Sequence, residues 1–190
     1  MTLQVDRTLE CEGLACPLPV VRTKKTMEEL LAGQVLEVRA TDKGSVADLQ
    51  SWAKRTGHHY IGLKEEKGVY CHYIRKAHLS EAKDEARFPH TLTNEELARR
   101  LDAGDQLTVI DVREPAEYAF GHIVGSLSIP LGELEGRLAQ LDPSESYVIV
   151  CRSGNRSDMA SQLLKESGFT NVTNAVQGMS AWTGKTEQQV

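Results

Sequence analysis

The sequence predicts an α/β protein of two domains, the second of which is built on a central parallel sheet. In about the first 75 residues, the apolar pattern predicts the order β-α-β-α-β-β, which folds as a small two-layer sandwich. A polar stretch with few large apolar residues follows, and beyond it strands and helices alternate, as in parallel sheets covered by helices. We therefore predict a first domain at residues 1–76, a linker at 77–87 and a second domain at 88–190.

The elements of the first domain follow from periodicity and from turn residues. A hairpin is indicated by two alternating runs around Glu65-Glu66-Lys67-Gly68, and Ser45 with Asp48 resembles a capping box. In chain order the patterns predict a strand at 7–11, a helix after Cys16 that ends at Gly33, a strand at 34–40, a helix from Ser45 to Gly57, and strands at 60–64 and 69–75.

Cys16 lies in the run Gly13-Leu14-Ala15-Cys16-Pro17-Leu18-Pro19, directly before the first predicted helix. Prolines are tolerated in a first helical turn because its N–H groups have no partner within the helix. The sulfur then lies near the positive end of the helix dipole, which lowers the pKa of a thiol, whereas the two prolines remove amide donors that could bind a thiolate. We expect a weakly activated cysteine, which suits a carrier better than a catalyst. Cys11 is either a resolving thiol for Cys16 or merely a strand residue.

The second domain alternates strands and helices in regular order. Thr93 with Glu96 forms a predicted capping box, and Asp111 ends a strand at the edge where α/β sheets bind ligands. The patterns predict a helix from Thr93 to Gly104, a strand at 107–111, a helix at 114–120, an extended segment at 127–130, a helix at 131–141, a strand at 147–150, a helix at 158–165, a strand at 172–175 and a last turn at Trp182.

The most informative stretch is residues 151–157, Cys-Arg-Ser-Gly-Asn-Arg-Ser, between a buried strand and a helix N-terminus. Backbone N–H groups of such a loop point inward, and the helix dipole adds positive potential at the sulfur. These features favour the thiolate, so Cys151 is the predicted nucleophile and Arg156 the predicted group that closes the cradle. Arg152 is expected to face solvent and to recognise an anionic donor such as thiosulfate. The other loop residues act mainly through their N–H groups: Ser153, Gly154, Asn155 and Ser157.

The spacing C-x4-R is one residue shorter than the C-x5-R cradle of tyrosine phosphatases, and a tighter ring suits a smaller guest such as the outer sulfur of a persulfide. The loop resembles that of rhodanese-type sulfurtransferases. Residues 110–126 and 176–182 are similar to the first and last conserved stretches of that family, so the resemblance covers about residues 88–184. It implies a persulfide on Cys151, and it makes Asp111, Arg113 and His122 structural hydrogen-bonding residues. Gln177 in place of a family glycine and the tail 183–190 depart from the pattern.

The first domain is similar to the TusA/SirA-like sulfur carriers, because its C-P-x-P motif opens the first helix of a β-α-β-α-β-β unit. The resemblance covers the whole N-terminal half of the chain. It implies that Cys16 carries sulfur as a persulfide.

Composition limits the possible location, partners and metal or disulfide sites of the chain. No apolar run reaches the ~18 residues of a membrane span, and a basic-then-apolar leader pattern is lacking, so a cytoplasmic location is expected. Residues 1–76 carry 12 Lys+Arg against 10 Asp+Glu and residues 88–190 carry 8 against 14, so neither half indicates nucleic acid as a main partner. The four cysteines do not form a disulfide or zinc pattern, no histidine pair has metal-ligand spacing, and Cys71 is expected to be a small buried residue.

These observations together predict a two-domain sulfurtransferase. A small sulfane-sulfur donor such as thiosulfate or a low-molecular-weight persulfide would load a cysteine, and sulfur would pass between Cys151 and Cys16 to an acceptor thiol or sulfur-accepting protein. No metal or organic cofactor is expected, since the intermediate is a covalent persulfide. The alternatives are a phosphatase or arsenate reductase with the same cradle, and a non-catalytic rhodanese-like interaction module. Donor, acceptor, direction of transfer and oligomeric state stay open.

Overall fold

The computed structural model describes residues 3–78 and 88–190, and the chain divides into a unit that ends at Ser80 and a unit that spans Glu81–Gln189. Most of the predicted linker, residues 79–87, lies outside the described residues. Over the two described ranges, no helix is long and apolar enough to cross a membrane.

The first unit has the predicted β-α-β-α-β-β order. Its four-stranded sheet has the order β1-β2-β4-β3, in which β1 and β2 are parallel and the other two pairs are antiparallel. Since Cys11 is paired with Ala40, the carboxyl ends of β1 and β2 lie side by side. The elements are β1 (Arg7–Cys11), α1 (Leu18–Glu29), β2 (Val35–Ala40), α2 (Gly44–Thr56), β3 (His59–Glu66) and β4 (Val69–Arg75).

One hydrophobic cluster joins the two helices of this unit to its sheet. Met27 of α1, Leu49 of α2 and Leu36 of β2 are all fully buried in it. Cys11 belongs to the same cluster with 0% of its surface exposed, and Cys71 of β4 is also buried, as predicted. The core thus fixes the sheet edge at which the loops after β1 and β2 emerge.

The predicted capping box at Ser45 and Asp48 is wrong. The helix begins one residue earlier, after Lys43, and no side chain caps it. Ser45 lies inside the first turn, where its hydroxyl donates to the Asp42 carbonyl and lies 3.0 Å from Nε2 of His72. Asp48 therefore does not cap the helix. Its carboxylate instead contacts the loop that follows β1. The predicted end of the helix at Gly57 is correct, with a φ of +79°.

The second unit contains the predicted parallel sheet, with the order β5-β10-β9-β6-β8. A separate antiparallel pair joins β7 to β11 near the C-terminus. The elements are β5 (Thr91–Leu92), α3 (Asn94–Ala103), β6 (Thr108–Asp111), α4 (Pro115–Phe120), β7 (His122–Ile123), β8 (Leu127–Ser128), α5 (Leu131–Arg137), β9 (Ser146–Val150), α6 (Asn155–Glu166), β10 (Asn171–Ala175) and β11 (Thr186–Glu187).

Two clusters cover the two faces of this sheet. Ile149 of β9 belongs to one cluster, whereas its neighbours Val148 and Val150 belong to the other. This is the side-chain alternation of a strand that is buried on both faces, and it explains the continuous apolar run before the loop. The central strands β6, β9 and β10 are parallel, so the loops that follow them emerge at one edge.

In the second unit, two details differ from the sequence predictions and one confirms them. The strands β5, β7 and β11 were not predicted, because each is two residues long and shows no periodicity. Helix α6 begins at Asn155 rather than Asp158, which places Arg156 and Ser157 in its first turn. The cap at Thr93 is confirmed, since its hydroxyl accepts from the Glu96 N–H at 3.3 Å.

Candidate active site

Cys151 lies between the last residue of β9 and the first turn of α6, and only 1% of its surface is exposed. The turn depends on Gly154, whose φ of +100° is in the left-handed region. A Cβ atom there would lie 2.4 Å from the carbonyl oxygen of Val176. Glycine is therefore required both for the turn and for the close approach of the segment after β10.

Two donors approach the sulfur of Cys151. The Gly154 N–H lies 3.2 Å from Sγ, and the Ser157 hydroxyl oxygen lies 3.4 Å from it. The Ser157 hydroxyl also lies 2.6 Å from Oδ1 of Asn174. Its single proton can therefore be donated either to this amide oxygen or to the Cys151 sulfur. These donors and the N-terminus of the 12-residue helix α6 stabilise negative charge at the sulfur.

The Arg156 side chain forms ion pairs with acidic side chains, which does not indicate a simple anion-binding role. Its guanidinium donates to both carboxylate oxygens of Glu117, at 2.8 and 2.9 Å, and lies 3.9 Å from a carboxylate oxygen of Glu114. The side chain of Glu117 is fully buried, so the pair joins the first turn of α6 to α4 and balances the arginine charge. Closure of the sulfur cradle by Arg156 stays a prediction.

Glu117 lies within residues 110–126, and the sequence predicts no individual role for it. In the structure, Glu117 has two roles. Its carboxylate binds Arg156, and it accepts from the backbone N–H of Glu114 at 3.0 Å in a capping box at the start of α4. The signal in the sequence was the spacing Glu114-Pro115-x-Glu117, typical of a helix N-terminus.

The segment after β10 holds the loop from its other side. The N–H groups of Met179 and Ser180 donate to the carbonyls of Cys151 and Arg152, at 2.8 and 2.9 Å. A Cβ at Gly178 would lie 2.6 Å from each of these carbonyl oxygens, so this glycine permits the contact. The loop's own outer face, Arg152 and Ser153, is exposed, and Asn155 is half-buried.

Asp111 is paired with Val150, the residue before the loop, and Arg113 and His122 make structural contacts. Arg113 donates through Nε and Nη2 to the Asp111 carboxylate and through Nη2 to the carbonyl of Gly121 at 2.7 Å. His122 stacks on Tyr118 with ring centres 3.6 Å apart, and its Nε2 lies 3.3 Å from a carboxylate oxygen of Glu187. These contacts brace the segment after β6 and attach the C-terminal strand β11.

Cys16 is exposed, in contrast to Cys151, and lies in the loop between β1 and α1. Because β1 and β2 are parallel, this loop lies next to the segment that follows β2. Two hydrogen bonds join the segments: the Gly13 N–H donates to the Thr41 hydroxyl at 2.8 Å, and the Cys16 thiol donates to Oδ2 of Asp48 at 2.9 Å. The thiol is thus held by a carboxylate of α2.

The pKa of Cys16 is raised, which overturns the expectation of a lowered value. The main cause is the hydrogen bond to Asp48, which stabilises the protonated thiol; partial desolvation and the negative charges of Asp48 and Asp42 act in the same direction. Sequence reasoning missed Asp48 because it assigned this residue to a helix cap.

The other two cysteines are buried in the first unit. Burial raises the pKa of the Cys11 and Cys71 thiols. The burial of Cys11 fits the alternative in which it is a strand residue, and its role as a resolving thiol stays a hypothesis. Within residues 3–78 and 88–190, no group of three or more His, Cys, Asp or Glu side chains could hold a metal ion.

Comparisons with known proteins match both units. The family model of Sulfurtransferase TusA matches residues 7–76, and that of the rhodanese-like domain matches residues 93–185. YrkF of Bacillus subtilis (strain 168), whose name describes a sulfur carrier protein, is 46% identical over 94% of this chain and 96% of its own length. Sulfur carrier protein TusA of Allochromatium vinosum is 47% identical over 38% of this chain and 95% of its own.

A solved structure matches the second unit. The crystal structure of a rhodanese-like domain protein from Staphylococcus aureus is 29% identical, covers 53% of this chain and 99% of its own, and has a TM-score of 0.50.

Proposed function

We propose a sulfur-relay function for this chain, which belongs to the family of proteins that join a TusA domain to a rhodanese-like domain. Members of these families transfer sulfur, and we assign the loading step to Cys151 and the carrier step to Cys16. The donor is a small sulfane-sulfur compound, with thiosulfate or a low-molecular-weight persulfide as the candidates. The final acceptor is a thiol, free or on a partner protein.

The observation that carries this proposal is the environment of the Cys151 sulfur. It lies at the N-terminus of α6 and receives the Gly154 N–H at 3.2 Å. A donor geometry of this kind stabilises a thiolate and, after loading, the negative charge of a persulfide. The Arg156 guanidinium is paired with the buried Glu117 carboxylate, so we assign the stabilisation of the sulfur mainly to the backbone donor and the helix.

Loading from thiosulfate is a displacement at the outer sulfur. The Cys151 thiolate attacks that sulfur, a new S–S bond forms, the S–S bond of thiosulfate breaks, and sulfite leaves with the electron pair. The product is the Cys151 persulfide anion, and the total charge is unchanged. The added sulfur extends the side chain by one S–S bond of about 2 Å, which moves the reactive atom outward from a cysteine that is itself buried.

The relay is the same displacement between two cysteines. Once the Cys16 thiol has passed its proton to the Cys151 persulfide anion, the Cys16 thiolate attacks the outer sulfur. A new S–S bond forms, the S–S bond to Cys151 breaks, and Cys151 leaves as a thiolate. Cys16 is exposed, as a carrier that serves partners must be. Because both cysteines belong to one chain, the effective concentration of one for the other reaches the order of mM when the linker permits contact.

The test is the rate of sulfur transfer from thiosulfate to cyanide. Cys151→Ser is expected to abolish this activity, whereas Cys16→Ser is expected to keep it, since cyanide can take sulfur directly from Cys151. Full activity in the Cys151→Ser chain would place the nucleophile elsewhere.

Hydrolysis of an aryl phosphate or reduction of arsenate without sulfur transfer would instead favour a phosphatase or arsenate reductase. A folded wild-type chain without any of these activities would favour the interaction module.

A further inference from the structure

The two candidate cysteines lie in opposite electrostatic environments. The sulfur of Cys151 accepts hydrogen bonds, from the Gly154 N–H and the Ser157 hydroxyl. The sulfur of Cys16 donates one, to the carboxylate of Asp48 at 2.9 Å. An N–H donor stabilises an anionic sulfur, whereas a carboxylate acceptor stabilises a protonated one and repels the anion.

The Asp48 carboxylate near Cys16 is held in place by the fold of the first unit. Asp48 is half-buried on α2, and the start of this helix is fixed by Ser45, which bonds the Asp42 carbonyl at 2.6 Å and lies 3.0 Å from the buried His72 ring. The second charged group that acts on the thiol is the Asp42 carboxylate, just before α2. Both are acidic, and together they raise the pKa of the Cys16 thiol.

We propose that Asp48 makes Cys16 a sulfur donor, because its carboxylate stabilises the empty thiol and repels the negative charge of a persulfide. This inference rests on the proposed function, in which Cys16 carries the sulfur. Persulfides are more acidic than thiols, so near neutral pH much of the loaded form of an ordinary cysteine is an anion. A neighbouring carboxylate raises the free energy of that anion and lowers that of the empty thiol. Both effects shift the equilibrium towards release of the sulfur.

The release step balances as follows. The thiolate of the acceptor attacks the outer sulfur of Cys16–S–SH, a new S–S bond forms, and the S–S bond to Cys16 breaks. The Cys16 sulfur leaves with the electron pair and takes the proton that the new, more acidic persulfide gives up. The products are Cys16–SH, bound to Asp48 as in the structure, and the persulfide anion of the acceptor. No net oxidation occurs.

The same contact protects the empty carrier. A thiol that donates to a carboxylate contains little thiolate near neutral pH, and the thiolate is the form that reacts with oxidants and alkylating agents. Cys16 is exposed, so this suppression of the thiolate compensates for its accessibility. Loading then depends on a donor that presents a reactive persulfide directly at Cys16.

The experiment compares the loaded fraction of Cys16 in full-length chains with Cys151 intact. Each chain is equilibrated with a fixed ratio of glutathione persulfide to glutathione, and peptide mass spectrometry gives the ratio of persulfide to thiol at Cys16. Asp48→Asn, nearly isosteric, is expected to raise this ratio severalfold, and up to about tenfold. Asp42→Asn, which removes charge without the hydrogen bond, is expected to raise it less.

The matched control is Glu65→Gln, which removes one negative charge from an exposed position on β3 and is expected to leave the ratio unchanged. A ratio in Asp48→Asn equal to or below that of wild type overturns the inference and leaves the proposed function standing. Absence of persulfide from Cys16 in every chain overturns the proposed function and the inference with it. As a second readout, the midpoint of iodoacetamide alkylation of Cys16 is expected to move to lower pH in Asp48→Asn; an unchanged midpoint also overturns the inference.

Discussion

Arg156 and Glu117 form a bidentate ion pair inside the second unit, with N–O distances of 2.8 and 2.9 Å. Only 6% of the arginine side chain and none of the glutamate side chain is exposed. The pair connects α6, which begins directly after the Cys151 loop, to α4, which follows β6. It therefore holds the loop against the sheet edge on which Asp111 lies.

Removal of either partner is expected to destabilise the second unit strongly. Glu117→Ala removes the two short hydrogen bonds of a buried guanidinium, and the loss of one partner of a buried ion pair costs about 3–5 kcal/mol. Arg156→Lys is also expected to be destabilising, because lysine cannot make the two parallel hydrogen bonds. The free energy of unfolding in urea measures the effect.

The control for this prediction is Glu133→Ala, which breaks the exposed Glu133–Arg137 pair on α5, at 3.5 Å. It is expected to cost no more than about 0.5 kcal/mol. Equal losses of unfolding free energy in Glu117→Ala and Glu133→Ala would show that the buried pair contributes no more to stability than an exposed pair.

Gly154→Ala is expected to damage both stability and sulfur transfer. The φ of +100° strains any residue with a Cβ, and the new atom would lie 2.4 Å from the Val176 carbonyl oxygen. Backbone strain of this kind costs about 1–3 kcal/mol, and relief by movement of the loop would displace the donors at Cys151. Unfolding in urea and the thiosulfate:cyanide rate are the measurements.

The matched substitution is Gly132→Ala in α5, where a Cβ meets nothing within 4 Å. There alanine is expected to be neutral or to stabilise by up to about 1 kcal/mol, with unchanged activity. An active, stable Gly154→Ala chain would contradict the requirement for glycine in the turn.

His72 is expected to make the first unit sensitive to acid. Its ring is fully buried between the hydroxyls of Ser45 and Tyr60, at 3.0 and 2.8 Å, and burial lowers its pKa from 6.5 to about 4. Between these values the unfolded chain binds a proton that the folded chain does not. The stabilisation is therefore complete above pH 6.5 and is lost as the pH falls towards 4, by roughly 2–3 kcal/mol.

Urea unfolding of the full chain at pH 7 and at pH 4.5 tests this, with His72→Gln as the comparison. The variant is expected to be less stable at pH 7 but to lose less stability on acidification. The same pH dependence in both chains would rule out His72 as the responsible group.

Much of the fold could be predicted because its signals are local. The apolar run before Cys151, the cap at Thr93 and the glycine after α2 each depend on a few neighbouring residues. The contacts that complete the sites join distant positions: Asp48 is 32 residues from Cys16, and Glu117 is 39 residues from Arg156. Which side chains meet there depends on strand register and helix rotation, which no local pattern determines.

The relay is tested most directly by following persulfide on each cysteine after thiosulfate is added to the full-length chain. Peptide mass spectrometry over time is expected to find the mass of one added sulfur first on Cys151 and then on Cys16. In Cys151→Ser, Cys16 is expected to stay unloaded, and in Cys16→Ser the persulfide is expected to remain on Cys151. Loading of Cys16 at the wild-type rate in the Cys151→Ser chain would contradict the account, because sulfur would then reach the carrier without passing through the loop.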